Sequence, residues 1–133
     1  MKKTGILNAQ LAGYIAGLGH KERFLIGDAG MPVPKGIPVV DLALCGGVPT
    51  FRQVLEAVLA ETVVESAVYA QEIQAGNPEM ALHLRRRLNG LPVELIPHDE
   101  LKRQTEHIKF AIRTGEFTPY SNLILQAGVA FPD

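Results

Sequence analysis

The sequence lacks the residue patterns that mark several common kinds of site. Its single cysteine, Cys45, excludes an intrachain disulfide and fits a reducing cytoplasm. No glycine-rich dinucleotide motif, phosphate-binding loop or zinc-type spacing of cysteine and histidine occurs. We therefore expect no dinucleotide, nucleoside triphosphate or structural zinc. Cys45 follows a run of alternating apolar residues, so we expect a buried structural thiol rather than a nucleophile.

The chain also has no large excess of positive or negative charge. Thirteen basic and 14 acidic residues leave a net charge of −1, so neither a nucleic-acid nor a membrane partner is expected. The one basic cluster, residues 85–87, falls inside a predicted helix and is typical of a solvated face. No apolar run approaches membrane-spanning length.

Short apolar runs alternate with helix signals along the chain. Strands are predicted at 23–27, 39–44, 65–69, 91–97, 108–113 and 123–127. Helices are predicted to start at Asn8, at Thr50 with Gln53 as a capping box, at Asn77-Pro78 and near Asp99. This order predicts one α/β domain over residues 1–133. About six mostly parallel strands would be covered on both faces, and the last two could add an antiparallel edge.

Polar side chains that can move protons flank two of these strands. His20 follows the first helix, Asp28 ends the first strand, and His98 follows the fourth. We expect His20 and Asp28 near one end of the sheet, where acid–base chemistry on a small polar molecule could occur. Each is equally typical of a cap, a turn or an exposed surface. Two histidines and a carboxylate could also bind a metal, but ligand spacing within one element is absent, so we expect none.

Taken together, nine segments make the chain resemble the D-ribose pyranase (ribose mutarotase) family, which is related to the fucose mutarotases. They are MKKTGILN (1–8), LGH (18–20), DAGMPVP (28–34), DLAL (41–44), GVPTF (47–51), QVL (53–55), HDELK (98–102), IRTGE (112–116) and TPYSNLIL (118–125). The resemblance covers essentially the whole chain in order. It implies a cytoplasmic isomerase that interconverts the pyranose and furanose forms of β-D-ribose without a cofactor.

The resemblance also implies roles for particular residues. His20 would be the proton donor, and the sugar would be bound by Asp28, His98, Tyr120, Ser121 and Asn122. The resemblance further implies a three-layer α/β/α domain that assembles into a ring-like homo-oligomer, often a homodecamer, with sugar sites at subunit borders. Asp41 and Lys102 lie in matching segments without an assigned role. Two alternatives remain open: the same chemistry on another sugar such as fucose, or a non-catalytic cytoplasmic sugar-binding or transport-accessory protein.

Overall fold

Strands and helices alternate along the chain as the sequence pattern predicts. The structure is a computed structural model that describes residues 1–132. Its strands are β1 (Arg23–Gly27), β2 (Val39–Asp41), β3 (Val64–Ala70), β4 (Val93–Ile96), β5 (Phe110–Arg113) and β6 (Leu123–Ala127). Its helices are α1 (Ala9–Ala16), α2 (Phe51–Leu59), α3 (Ile73–Gly76), α4 (Pro78–Arg87) and α5 (His98–Gln104), with a 3₁₀ turn at Thr105–His107.

All six strands join one sheet in the order β2-β5-β1-β6-β3-β4. β2, β5 and β1 are mutually parallel, β3 is parallel to β4, and β6 runs antiparallel to both of its neighbours. The mostly parallel sheet is confirmed, but the last two strands do not add the possible antiparallel edge, because β5 and β6 both lie in the interior. Leu123 and Leu125 are buried in one core and Ile124 in the other. A strand that is apolar on both faces is most stable away from an edge.

Helices cover the two faces of the sheet unequally, which confirms the three-layer arrangement. α1, α2 and α4 bury Leu11, Leu55 and Leu84 against one face. On the other face, Leu101 of α5 and Met31 of the segment before β2 cover a smaller core. Part of that second face stays open as a groove over β3, β4 and β6.

Three of the four predicted helix starts are confirmed by side-chain caps, whereas α5 begins at His98 without one. Asn8 Oδ1 accepts a hydrogen bond from the backbone N–H of Leu11, and Asn77 Oδ1 from that of Met80. Thr50 and Gln53 form the reciprocal capping box. The short helix α3 was not predicted, since four residues carry too little periodicity to read.

Cys45 corrects the expectation of a buried thiol, because it is exposed. Strand β2 ends at Asp41, earlier than predicted, and Cys45 then bridges to Val48 in a turn. The alternation that suggested burial continues in sequence after the strand itself has ended. Within residues 1–132, no helix combines the length and apolar character needed to cross a membrane.

Candidate functional site

Asp28 and Asn122 lock together where β1 ends and β6 begins. The two strands run antiparallel, and Ile26 near the end of β1 pairs with Leu123 at the start of β6. Asp28, just after β1, therefore lies beside Asn122, just before β6. Asn122 Oδ1 accepts from the backbone N–H of Asp28 at 2.9 Å, and Asn122 Nδ2 donates to Asp28 Oδ2 at 3.0 Å. Asn122 has no exposed surface. The amide therefore fixes the direction of a carboxylate whose other oxygen accepts from the N–H of Gly30.

Ser121 anchors the loop that precedes β6. Its side chain is fully buried, and its Oγ lies 2.9 Å from Thr118 Oγ1 and 3.2 Å from Asn77 Nδ2. Asn77 Nδ2 also donates to the carbonyl of Pro119 at 3.0 Å. One amide at the start of α4 thus holds two residues of the loop. Contacts within the chain therefore hold the loop in this conformation.

Tyr120 occupies a conformation that few non-glycine residues adopt, with φ at +59°. Its ring lies over Gly76, where an added Cβ would stand 2.7 Å from Tyr120 Cε2. The ring also meets the His98 imidazole edge-on at a centroid distance of 5.2 Å. A phenol and an imidazole are thus held side by side, and both are half-buried. Together they offer hydrogen-bonding groups at the border of an apolar surface.

His98 is held by its backbone. Its N–H donates to both carboxylate oxygens of Glu72, at 3.0 and 2.9 Å. Its ring atom Nδ1 is buried and has no hydrogen-bond partner among residues 1–132. A buried polar atom without a partner is uncommon, and a bound water, a ligand or a catalytic role can account for it. The imidazole therefore retains hydrogen-bonding capacity that the chain does not use.

A groove of about 430 Å³ opens beside Asp28 and is lined also by Gly30, Arg113, Glu116 and Phe117. Arg113 donates to the Ala29 carbonyl and to both oxygens of Asp41. Asp41, which had no assigned role, is thus an ion-pair partner that steadies the wall of this groove. Lys102 lies exposed on α5. We call this end of the molecule, with Asp28, His98 and Tyr120–Asn122, the Asp28 end.

His20 lies elsewhere, so the expectation that it joins Asp28 at one end of the sheet is wrong within a single copy of the chain. His20 precedes β1 and Asp28 follows it, and a five-residue strand separates two such positions by about 16 Å. His20 is exposed, and its Nε2 lies 3.0 Å from Glu65 Oε2 at the start of β3. Leu18, Val63 and Phe131 line a groove of about 370 Å³ around it. We call this region the His20 end.

Sequence reasoning missed three polar residues that position the candidates: Glu65, Glu72 and Asn77. Asn77 was recognised only as a helix cap. The carboxylate that starts the predicted strand 65–69, and the one three residues after its end, were signals that could have been followed. Among residues 1–132 no group of three or more histidine, cysteine, aspartate or glutamate side chains is arranged to bind a metal. Another groove, of about 580 Å³ over β3 and β4, is lined by none of the candidate residues.

Comparison with known proteins places this geometry in context. The family model described as "RbsD / FucU transport protein family" matches residues 1–130. A D-ribose pyranase of Streptococcus agalactiae serotype III is 50% identical over 130 residues, covering 97% of this chain and 98% of the relative. A D-ribose pyranase of Bacillus licheniformis is 48% identical over 131 residues, covering 98% of this chain and all (100%) of the relative.

Two solved structures share the fold. Bacillus subtilis RbsD complexed with D-ribose superposes with a TM-score of 0.95 at 46% identity, covering 98% of this chain and 100% of that one. The fucose mutarotase of Streptococcus pneumoniae in complex with L-fucose superposes with a TM-score of 0.80 at 18% identity, covering 94% and 95%. The second likeness is one of fold alone.

Proposed function

The chain belongs to the RbsD / FucU transport protein family, and on that premise we propose that it is an isomerase that interconverts the pyranose and furanose forms of β-D-ribose. The observation that carries this proposal is the whole-length match to proteins named D-ribose pyranase. The likeness to the ribose-bound structure supports the same sugar. In this role the protein would serve ribose utilisation in the cytoplasm.

The reaction needs only proton transfers. On ring opening, the bond between the anomeric carbon and the ring oxygen breaks, the anomeric hydroxyl loses its proton and the ring oxygen gains one. On closing, a different hydroxyl attacks the aldehyde carbon, loses its proton, and the aldehyde oxygen is protonated. Nothing is oxidised and no group leaves the sugar. General acid–base catalysis contributes roughly 10²–10⁴-fold to such steps, which suits a reaction that already proceeds slowly in water.

The role of each side chain follows from its chemistry and from whether it is exposed to a ligand. We assign His20 as the acid on the ring oxygen, because an imidazole gives and takes protons near neutral pH. Asp28 and the half-buried His98 and Tyr120 would bind sugar hydroxyls directly. Ser121 and Asn122 complete the sugar-binding set and, being fully buried, act mainly by holding the loop and Asp28 in place. This set would select hydroxyl stereochemistry.

A second copy of the chain would explain how His20 and Asp28 can serve one site although they lie at opposite ends of β1. Val63 and Phe131 are exposed at the His20 end, while Leu44, Val48 and Phe117 are exposed at the Asp28 end. Exposed apolar patches of this kind favour association. Two different patches that pack against each other form a head-to-tail contact, which closes into a ring when the rotation permits. We propose that His20 of one copy completes the Asp28 end of the next, in the ring-like homodecamer that the resemblance implies.

The decisive measurement of the activity is exchange NMR on equilibrated D-ribose. Catalytic amounts of the protein should raise the pyranose–furanose exchange rate, and His20→Ala should remove most of the gain while the chain stays folded. Running L-fucose in parallel separates the two sugars. Ribose binding without faster exchange would replace the isomerase by a sugar-binding protein.

Subunit mixing tests the shared site. His20→Ala and Asp28→Ala chains should each be inactive alone. Co-expressed in equal amounts, they should regain about a quarter of the wild-type sites, because a head-to-tail site draws one residue from each of two copies. Native mass spectrometry should give the subunit number. Mixed oligomers that stay inactive would contradict a site shared between copies.

A further inference from the structure

Glu65 is the side chain bonded to the His20 imidazole. Its Oε2 lies 3.0 Å from His20 Nε2, and its Oε1 accepts from Gln126 Nε2 at 2.6 Å. Both carboxylate oxygens are therefore occupied by side chains from two different parts of the chain. The carboxylate is held from the sheet by Gln126, so its direction does not depend on the exposed histidine.

A β-bulge aims Glu65 out of the regular sheet. Val64 pairs with Ala127 and Ser66 pairs with Gln126, which leaves residue 65 as the extra residue in β3. Val64 packs against the same core as Ala67 and Tyr69, which unbroken alternation along a strand would not allow. Bulges that re-aim a side chain are frequent beside active sites. The extra residue of this bulge is therefore the one that carries the carboxylate bonded to His20.

The bond to Glu65 determines which imidazole nitrogen stays free. The hydrogen bond from Gln126, followed by that from His20, lowers the pKa of the Glu65 carboxyl, so the group is ionised at neutral pH. An ionised carboxylate only accepts hydrogen bonds, so His20 Nε2 must carry the hydrogen. Nδ1 is then the nitrogen that can give up or take a proton.

We infer that Glu65 is the positioning residue of His20, fixing the ring through Nε2 so that Nδ1 exchanges the proton with the sugar. The inference rests on the proposed isomerase function. On ring opening the Nδ1 proton of the imidazolium passes to the ring oxygen while the anomeric hydroxyl releases its proton to water. On closing, Nδ1 accepts the proton of the attacking hydroxyl while water protonates the aldehyde oxygen. A carboxylate that orients a histidine in this way acts through the histidine and does not touch the sugar.

The primary test compares Glu65→Gln with Glu22→Gln. Glu22 lies two residues from His20, but its carboxylate pairs with Lys109 at 2.6 Å, so this control removes the same charge without touching the imidazole bond. Glu65→Gln should lower kcat for ribose exchange about tenfold, a part of what acid–base catalysis supplies, with KM unchanged. Glu22→Gln should match the wild type. A Glu65→Gln enzyme with wild-type kcat would overturn the inference.

A double-mutant cycle separates positioning of His20 from mere support of the fold. In a His20→Ala background, Glu65→Gln should change nothing further. An undiminished effect there would assign Glu65 a structural role instead.

A measurement on the wild-type protein keeps the test independent of variants. Imidazole ¹⁵N spectra of neutral His20 should show a protonated Nε2 and a bare Nδ1. The opposite tautomer would overturn the inference even if Glu65→Gln failed to fold. Wild-type protein without any exchange activity would instead refute the proposed function, while leaving the tautomer result intact.

Discussion

Asn122→Asp replaces one atom in the buried lock and should produce a large, pH-dependent loss of stability. In the wild type, Asn122 Nδ2 donates to Asp28 Oδ2 at 3.0 Å. In the variant, two carboxylates would face each other at that distance, with residue 122 fully buried. Two such groups cannot both be ionised, so the folded protein must take up a proton that they then share.

The magnitude follows from the cost of that proton. An unfolded aspartate titrates near a pKa of about 3.9, and each pH unit above it costs about 1.4 kcal/mol. Asn122→Asp should therefore lower the free energy of unfolding by about 3–4 kcal/mol at pH 7 but only about 1–1.5 kcal/mol at pH 5. Since the folded variant binds the extra proton, its deficit grows as the pH rises. The larger loss corresponds to a fall in Tm of roughly 10 °C for a chain of this length.

Urea denaturation at pH 5 and pH 7, at one fixed protein concentration, measures the deficit. Asn89→Asp is the matched control, because Asn89 is exposed in the loop after α4 and gains the same charge. It should stay within about 0.5 kcal/mol of the wild type. If Asn122→Asp lost no more than this control at pH 7, or lost as much at pH 5 as at pH 7, the lock between residues 28 and 122 would be wrong.

Three further predictions concern the supports of the site and the fold. Gly76→Ala places a Cβ 2.7 Å from the Tyr120 ring, so calorimetry should show ribose binding weakened roughly tenfold, or about 1.4 kcal/mol; Gly13→Ala, with no atom within 4 Å, should leave affinity unchanged. Thr50→Ala removes the capping box of α2 and should cost about 1 kcal/mol in denaturant unfolding. Burial, followed by the charge of Arg52, lowers the pKa of His83 below its usual 6.5, so the stability it contributes is present above pH 6.5 and is lost as the pH falls below that value. His83→Gln should remove this part of the acid sensitivity, whereas His107→Gln, at an exposed position, should not.

Local signals in the sequence were sufficient for most of the elements. β1 and β6 have the predicted bounds, 23–27 and 123–127, because short apolar runs between glycine and polar turns are read from neighbouring residues alone. Asn8, Thr50 and Asn77 cap the predicted helices because a cap needs only the next three residues. The family was also visible in sequence, since its motifs are contiguous segments.

Strand order, by contrast, depends on contacts between residues far apart in the chain. The interior place of β6 brings Asn122 to Asp28, although 94 positions separate them. The same pairing puts Glu65 in a bulge beside Gln126. The residues that neighbour Asp28 and Glu65 in sequence carry no signal of these partners, so no local pattern could have predicted either contact.

By itself the sequence determined the elements, their caps, the family and the residue types available for chemistry. Only the tertiary structure decided which of those residues meet: it gathered Asp28, His98 and Tyr120–Asn122 at one end and left His20 with Glu65 at the other. The physical reason is that a strand carries its two ends apart by a rise of about 3.3 Å per residue. Residues that flank one strand are close in sequence and distant in space, whereas residues on paired strands are close in space at any distance along the chain.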